Sequence, residues 1–266
     1  MMCGIAGFFG EGSLQDLQSM MKAIRHRGPD ANGYFKDNDL PIFFGHQRLS
    51  ILDHSGGAQP MSSQDGRFCI VFNGEIYNHL ELRRQLQNLG RNFISDHSDT
   101  EVLLQGYAEW GKDLLSKLNG MFAFAIFDKA KKKVFAARDR CGEKPLYYFI
   151  YRNGIIFCSE LKGLLKHPSI TSTICQKGLS KFLGYGFFPG EETIIKGVKR
   201  LKPGHYLEYD IQNMTTKLVR YWAFQLLPEK ERINISYEEA KENLVYLTKK
   251  SVSDRLIADV PVGIFL

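Results

Sequence analysis

Residues 122–138 read FAFAIFDKAKKKVFAAR, two apolar runs separated by Lys129-Ala130-Lys131-Lys132-Lys133. A short apolar run bounded by a polar turn reads as a strand, and two in succession read as a hairpin. Phe122 to Asp128 and Val134 to Arg138 are therefore expected to pair across the lysine turn. Further along, Leu146 to Tyr151 and Gly154 to Cys158 repeat the arrangement across Arg152-Asn153. Gly4 to Phe9 is a short apolar strand closed by Gly10, and Arg67 to Phe72 is another that runs into Asn73-Gly74. Helical spacing is confined to a few segments. Leu14 to Ile24 places Leu17, Met20, Met21 and Ile24 on one face behind Ser13 as N-cap, and Leu80 to Leu89 and Thr100 to Trp110 follow. Many short strands with few helices imply an α+β fold of stacked sheets carrying helices, not the βαβ alternation of a parallel sheet.

The 266 residues suffice for one large domain, or a medium one with part of a second. With 44% hydrophobic and 24% charged residues, the chain is neither disordered nor collagen-like. No apolar run approaches the roughly 20 residues of a membrane-spanning helix. The opening MMCGIAGFFGEG lacks the basic region that precedes a secretory signal. Cysteines at 3, 69, 141, 158 and 175 form no CxxC pair, which argues for a reducing compartment and against a zinc ribbon or a disulfide scaffold. The expectation is a cytoplasmic chain. The net charge of +6 is dispersed and its densest run is the hairpin turn, so neither nucleic acid nor membrane is expected as a partner. No His/Asp/Glu cluster has metal-ligand spacing.

Beyond Tyr209 the composition shifts. LLPEKERIN (226–234) is polar, contains Pro228 and reads as a linker. Ser236-Tyr237-Glu238-Glu239 forms a capping box that opens a helix to about Leu256, and Val260 to Leu266 reads as an apolar strand. One helix and one strand cannot bury a core of their own, so a second domain is expected to begin here and to be only started.

Three constellations could carry chemistry. Cys3 lies beside the N-terminus, ahead of a strand. If it became residue one, its α-amine, with an unperturbed pKa near ~7.7–8.0, could take the thiol proton and replace the usual histidine base. Two methionines stand before it, so this requires translation from Met2 or a further peptidase; the bland alternative is a small buried hydrophobe. Asn73-Gly74 could supply a side-chain amide and a backbone N–H to a tetrahedral oxyanion, while an Asn-Gly turn is an equal reading of the dipeptide. Arg48 and Asp99 offer a guanidinium and an anion for an α-amino acid, although Asp99 also reads as an N-cap and Arg48 as a surface arginine.

Taken in order, Cys3-Gly4-Ile5, Arg25-His26-Arg27-Gly28-Pro29-Asp30, His46-Gln47-Arg48-Leu49-Ser50-Ile51, Asn73-Gly74-Glu75-Ile76-Tyr77-Asn78 and Ser98-Asp99-Thr100-Glu101 resemble the class II glutamine amidotransferases, most closely the glutamine-hydrolysing asparagine synthetases. Gly120 to Ala125, Arg138-Asp139-Arg140 with Gly142, Lys144 to Tyr148 and Ser159 to Lys162 continue the pattern, so the resemblance covers nearly the whole chain.

The resemblance implies a four-layer αββα sandwich of the N-terminal-nucleophile hydrolase type over 3–215. A linker at 216–235 and the start of an ATP-binding synthetase domain at 236–266 would follow. It implies Cys3 as nucleophile, Asn73 and Gly74 as oxyanion hole, Arg48 on the glutamine carboxylate and Asp99 on its ammonium. Leu49, Ser50, Ile51, Leu52 and Glu75 would line the pocket, with Arg25 to Asp30 ordering a loop beside it. Leu266 matches a position that touches ATP, at the edge of a site whose phosphate loop is not in this sequence. The implied partners are L-glutamine, with no cofactor for its hydrolysis, and aspartate with ATP and Mg in a full-length synthetase. The oligomeric state stays open, a homodimer being one candidate. Three other readings stand beside this one: an amidotransferase for a sugar or peptide acceptor, a non-catalytic glutamine-binding module, and a cysteine protease drawing on His26, His46 or His54.

Overall fold

The computed structural model describes residues 3–50, 53, 56–261 and 263. The chain begins with β1 (Gly4–Phe9), α1 (Leu14–Ala23), β2 (Ala31–Lys36) and β3 (Ile42–Arg48). Next come β4 (Met61–Ser62), β5 (Phe68–Ile76), α2 (His79–Asn88), α3 (Asp99–Trp110) and the short α4 (Leu114–Lys117). The two expected hairpins are β6 (Gly120–Asp128) with β7 (Lys133–Arg138), and β8 (Tyr147–Tyr151) with β9 (Gly154–Cys158). The remainder is α5 (Leu161–Leu164), α6 (Gln176–Tyr185), β10 (Lys199–Arg200), β11 (His205–Asp210), β12 (Thr215–Arg220) and α7 (Tyr237–Asp254).

The strands form two antiparallel six-stranded sheets, β10-β8-β9-β1-β3-β2 and β12-β11-β7-β6-β5-β4. Alternation along the strands builds the layers, because successive side chains point to opposite faces. In β6, Ala123, Ala125 and Phe127 join Ile5 and Phe9 of β1 and Phe44 of β3 in a core between the sheets. Phe124 and Ile126, with Phe122 before them, pack outward against Leu82 and Leu86 of α2 and Val102 and Leu103 of α3. On the far side, Ala6 and Phe8 of β1 meet Leu17, Met20 and Met21 of α1 and Leu164 of α5. The result is the four-layer αββα sandwich. Burial on both faces explains why β1 and β6 read as nearly unbroken apolar runs.

Ser13 caps α1 in a reciprocal box with Asp16. Ser236 caps α7 by accepting the Glu239 N–H, which is one half of the capping box its sequence indicates. Two expectations change. The ladder of β11 with β12 carries the second sheet through Arg220, inside the segment 216–235 read as linker; β12 is polar on an edge, with little apolar signal to mark it. The strand expected over Val260 to Leu266 is not formed at Val260, Pro261 or Gly263, which find no ladder partner among the described residues. Ile264, Phe265 and Leu266 lie outside the described residues, as do Met1, Met2, Ile51, Leu52, His54, Ser55 and Val262. Among the described residues no helix is long and apolar enough to cross a membrane.

Candidate active site

Where β1 and β3 begin and end side by side, the two sheets part to leave a cavity of about 180 Å³. Cys3, Arg48, Leu49, Asn73, Gly74, Glu75 and Asp99 all line it, residues up to 96 positions apart in sequence (99 − 3). Ser50 is not on its wall: its N–H donates to Asp30 Oδ2 at 2.9 Å. Ile51 and Leu52 lie outside the described residues.

Cys3 is held by its backbone as well as its side chain. Its carbonyl accepts from Arg27 Nε at 2.9 Å, and Arg27 is itself anchored on Glu160 through Nη1 at 2.9 Å. Its sulfur lies 3.4 Å from the Leu49 N–H, which donates to it, and 3.5 Å from the Leu49 carbonyl. Desolvation raises the Cys3 thiol pKa, with the Asp99 carboxylate adding to it; the Leu49 N–H and the Arg48 charge oppose the rise.

Asn73 and Gly74 do not form a turn. They sit inside β5, in register with Ala123 and Phe122 of β6. The Asn73 side chain is fully buried, yet neither its Nδ2 nor its Oδ1 has a hydrogen-bond partner. A buried carboxamide without partners costs free energy, and its amide is open to a group entering the cavity. At Gly74 a Cβ would stand 2.1 Å from the Met121 carbonyl, so the strand pairs this closely only without a side chain.

Asp99 is the first residue of α3, with Ser98 rather than Asp99 as its N-cap. Its carboxylate accepts the Ile76 N–H at 3.1 Å, but burial, reinforced by Glu75, pushes its pKa up to about 7. Arg48 also lines the cavity, its Nη2 donating to the Asp53 carbonyl at 2.6 Å. One cavity thus gathers a guanidinium, a carboxyl, a thiol and a carboxamide without a hydrogen-bond partner, groups whose chemistry suits the two charged ends and the amide of an amino acid with a side-chain carboxamide.

The sequence blocks without an assigned role are the supports of this cavity. In Arg25 to Asp30, Arg27 holds Cys3, Asp30 holds the Ser50 amide, and Gly28 lies so close to β3 that a Cβ would meet the Gln47 carbonyl at 2.3 Å. Asp139 accepts the N–H groups of Cys141, Glu143 and Lys144 at 2.9–3.1 Å, fixing a loop that brings buried Lys144 to the cavity wall. Burial lowers the Lys144 pKa while nearby Glu75 opposes it. Gln59 also lines the site and ties β5 to α3, accepting the Phe72 N–H at 2.7 Å and donating to Thr100 Oγ1 at 3.1 Å. Lys144 was visible within its motif, whereas nothing local in the sequence marks Gln59.

Neither His26 nor His46 is bonded to the thiol. His46 is buried against the Phe72 carbonyl, and desolvation lowers its pKa to about 4; His26 pairs with Glu160 outside the cavity. His54 lies outside the described residues. Among the described residues no group of three or more His, Cys, Asp or Glu side chains is placed to hold a metal.

Known proteins share both sequence and fold. Residues 2–222 match the family described as "Glutamine amidotransferase domain". Asparagine synthetase [glutamine-hydrolyzing] 3 of Bacillus subtilis (strain 168) is 37% identical over 274 residues, spanning 100% of this chain and 43% of its own length. A putative asparagine synthetase [glutamine-hydrolyzing] 2 of Methanocaldococcus jannaschii is 38% identical over 291 residues, 100% of this chain and 54% of that protein. The chain thus spans about half or less of the length of these relatives. A solved glutamine phosphoribosylpyrophosphate amidotransferase from B. subtilis, complexed with ADP and GMP, shares the fold at a TM-score of 0.60 and 21% identity, over 83% of this chain and 49% of that one. On the match that runs through both sheets, the chain belongs to the glutamine amidotransferase domain family.

Proposed function

We propose that this chain hydrolyses L-glutamine to glutamate and ammonia through a γ-glutamyl thioester on Cys3. The observation that carries the reading is the single cavity lined by Cys3, Arg48, Asn73, Gly74 and Asp99. Arg48 would receive the α-carboxylate and Asp99 the α-ammonium, which sets the side-chain carboxamide against the Cys3 sulfur. With Cys3 as residue one, its α-amine takes the thiol proton as sulfur bonds to the carboxamide carbon. The oxyanion that forms is met by Asn73 Nδ2 and the Gly74 N–H. Collapse expels the amine, which leaves as ammonia with the proton returned by the α-ammonium. Water then attacks the thioester carbon, glutamate departs, and the thiol is restored.

In a longer protein, as the relatives named asparagine synthetase suggest, the ammonia would be joined to aspartate at the expense of ATP with Mg. The described residues do not carry a site for that nucleotide. After Asp259 they comprise Val260, Pro261 and Gly263, with no phosphate-binding turn, and Leu266 lies outside them, so no step is derived through ATP.

The test is glutamate release from glutamine by this chain beside Cys3→Ala, with intact mass taken on the same sample. Release from protein beginning at Cys3, lost by at least ~10³-fold in Cys3→Ala, is the expected result. Undiminished release by Cys3→Ala would remove Cys3 as the nucleophile. Absence of release from protein that begins at Cys3, with glutamine still bound, would leave a binding module.

A further inference from the structure

The segment that follows α7 returns to the glutamine site. Arg255 stacks its guanidinium over the Tyr77 ring at 4.7 Å, just past the end of β5. Four residues on, Asp259 Oδ2 accepts the Asp53 N–H at 2.8 Å and lies 2.8 Å from His97 Nε2. Asp53 is the residue whose carbonyl accepts Arg48 Nη2 at 2.6 Å. It holds a left-handed backbone, φ 46°, unusual for a residue with a side chain, so its conformation depends on the bonds around it. Its carboxylate accepts the Gly56 N–H at 2.7 Å, its carbonyl also accepts the Gly57 N–H at 2.9 Å, and its own N–H is taken by Asp259. Gly57 and Arg48 both line the cavity.

We propose that Asp259 is a positioning residue for glutamine binding. By holding the Asp53 N–H it fixes the residue whose carbonyl, on the next peptide, aims Arg48, and so ties the segment after α7 to the substrate-carboxylate end of the cavity. This rests on the reading of Arg48 as the carboxylate receptor. His97 steadies the Asp259 carboxylate from α3's side, with Asp96 on its other ring nitrogen at 3.0 Å, and these two carboxylates raise the pKa of its imidazole. The arrangement gives the region expected to begin a second domain a direct mechanical hold on how well the first domain takes its substrate.

The experiment compares the unaltered chain with Asp259→Ala and Asp259→Asn. The Asn side-chain oxygen still accepts the Asp53 N–H, whereas Ala cannot. Asp259→Ala is expected to raise KM for glutamine about 5- to 10-fold with kcat unchanged, the loss of one charge-assisted hydrogen bond. Asp259→Asn is expected within about twofold of the unaltered chain. Calorimetric glutamine affinity in a Cys3→Ala background reads the same change without turnover, so failure of the hydrolase reading is separated from failure of this one. Amide exchange at Asp53 should quicken in Asp259→Ala and not in Asp259→Asn. Unchanged affinity in Asp259→Ala, or a fall in kcat with KM and affinity held, overturns the proposal.

Discussion

The two-sheet body and the stretch carrying α7 use apolar residues in opposite ways. In the body, Phe122, Phe124 and Phe127 of one strand are all buried, because a sheet lies on one face and helices on the other. Along α7, Leu244, Tyr246 and Leu247 are 60–66% exposed, though the helix is well capped. Local signals suffice to write a helix, but only layers on both sides write a core. Polar residues show the same contrast. The body buries Asn73 and Asp99 at the cavity, at a cost in stability, whereas α7 keeps its charged groups in solvent.

The sharpest test of that contrast is in the core. Phe124→Ala is expected to destabilise the body by about 3–5 kcal/mol in denaturant unfolding, since it opens a void between β6 and the outer helices. Next, Asn73→Ala is expected to lower kcat for glutamine hydrolysis about 10²–10³-fold, the loss of one oxyanion donor. Its unfolding midpoint should stay within about 4 °C of the unaltered chain, because no protein hydrogen bond is removed. A large loss of stability there would mean that the buried carboxamide supports the fold instead of the chemistry.

A smaller effect concerns pH. With Asp99 raised to about 7 by burial, the empty site holds a proton on much of its carboxyl below neutrality. An ammonium is received by the carboxylate form, so binding expels that proton. Glutamine affinity should therefore rise as pH climbs from about 5.5 toward 8 and level above it, with proton release visible as a buffer-dependent binding enthalpy. Asp99→Asn should bind weakly at every pH, with the slope gone. The smallest expected effect is Leu247→Ala, within about 0.5 kcal/mol of the unaltered chain, as for an exposed helix position. A loss above about 2 kcal/mol would place α7 in the core of the body and break the contrast.

Much of the sandwich was legible because its strands announce themselves one at a time. β6 and β7 carry their own turn, and α1 carries its own cap. What stayed hidden depends on partners distant in sequence. β12 is polar and becomes a strand only because β11 offers a ladder; β2 likewise lacks a clean apolar period. At the site, Cys3, Arg48, Asn73 and Asp99 were named from residue types and a family pattern, and they do share one cavity. The choice between turn and strand at Asn73-Gly74 was not open to the dipeptide itself, because the pairing of β5 with β6 decides it. Arg27 could not be given a task before Glu160, 133 residues later, was known to stand beside it.

The Arg27 bond to the Cys3 carbonyl has a further consequence. It grips the chain on the far side of the atom that would become the new amino terminus, as does the pairing of Gly4 with Gln47. In the proposed reaction, which needs Cys3 as residue one, these bonds would keep the sulfur in its seat when the residues ahead of it are removed. On that reading the fold can be complete first, and the base created last.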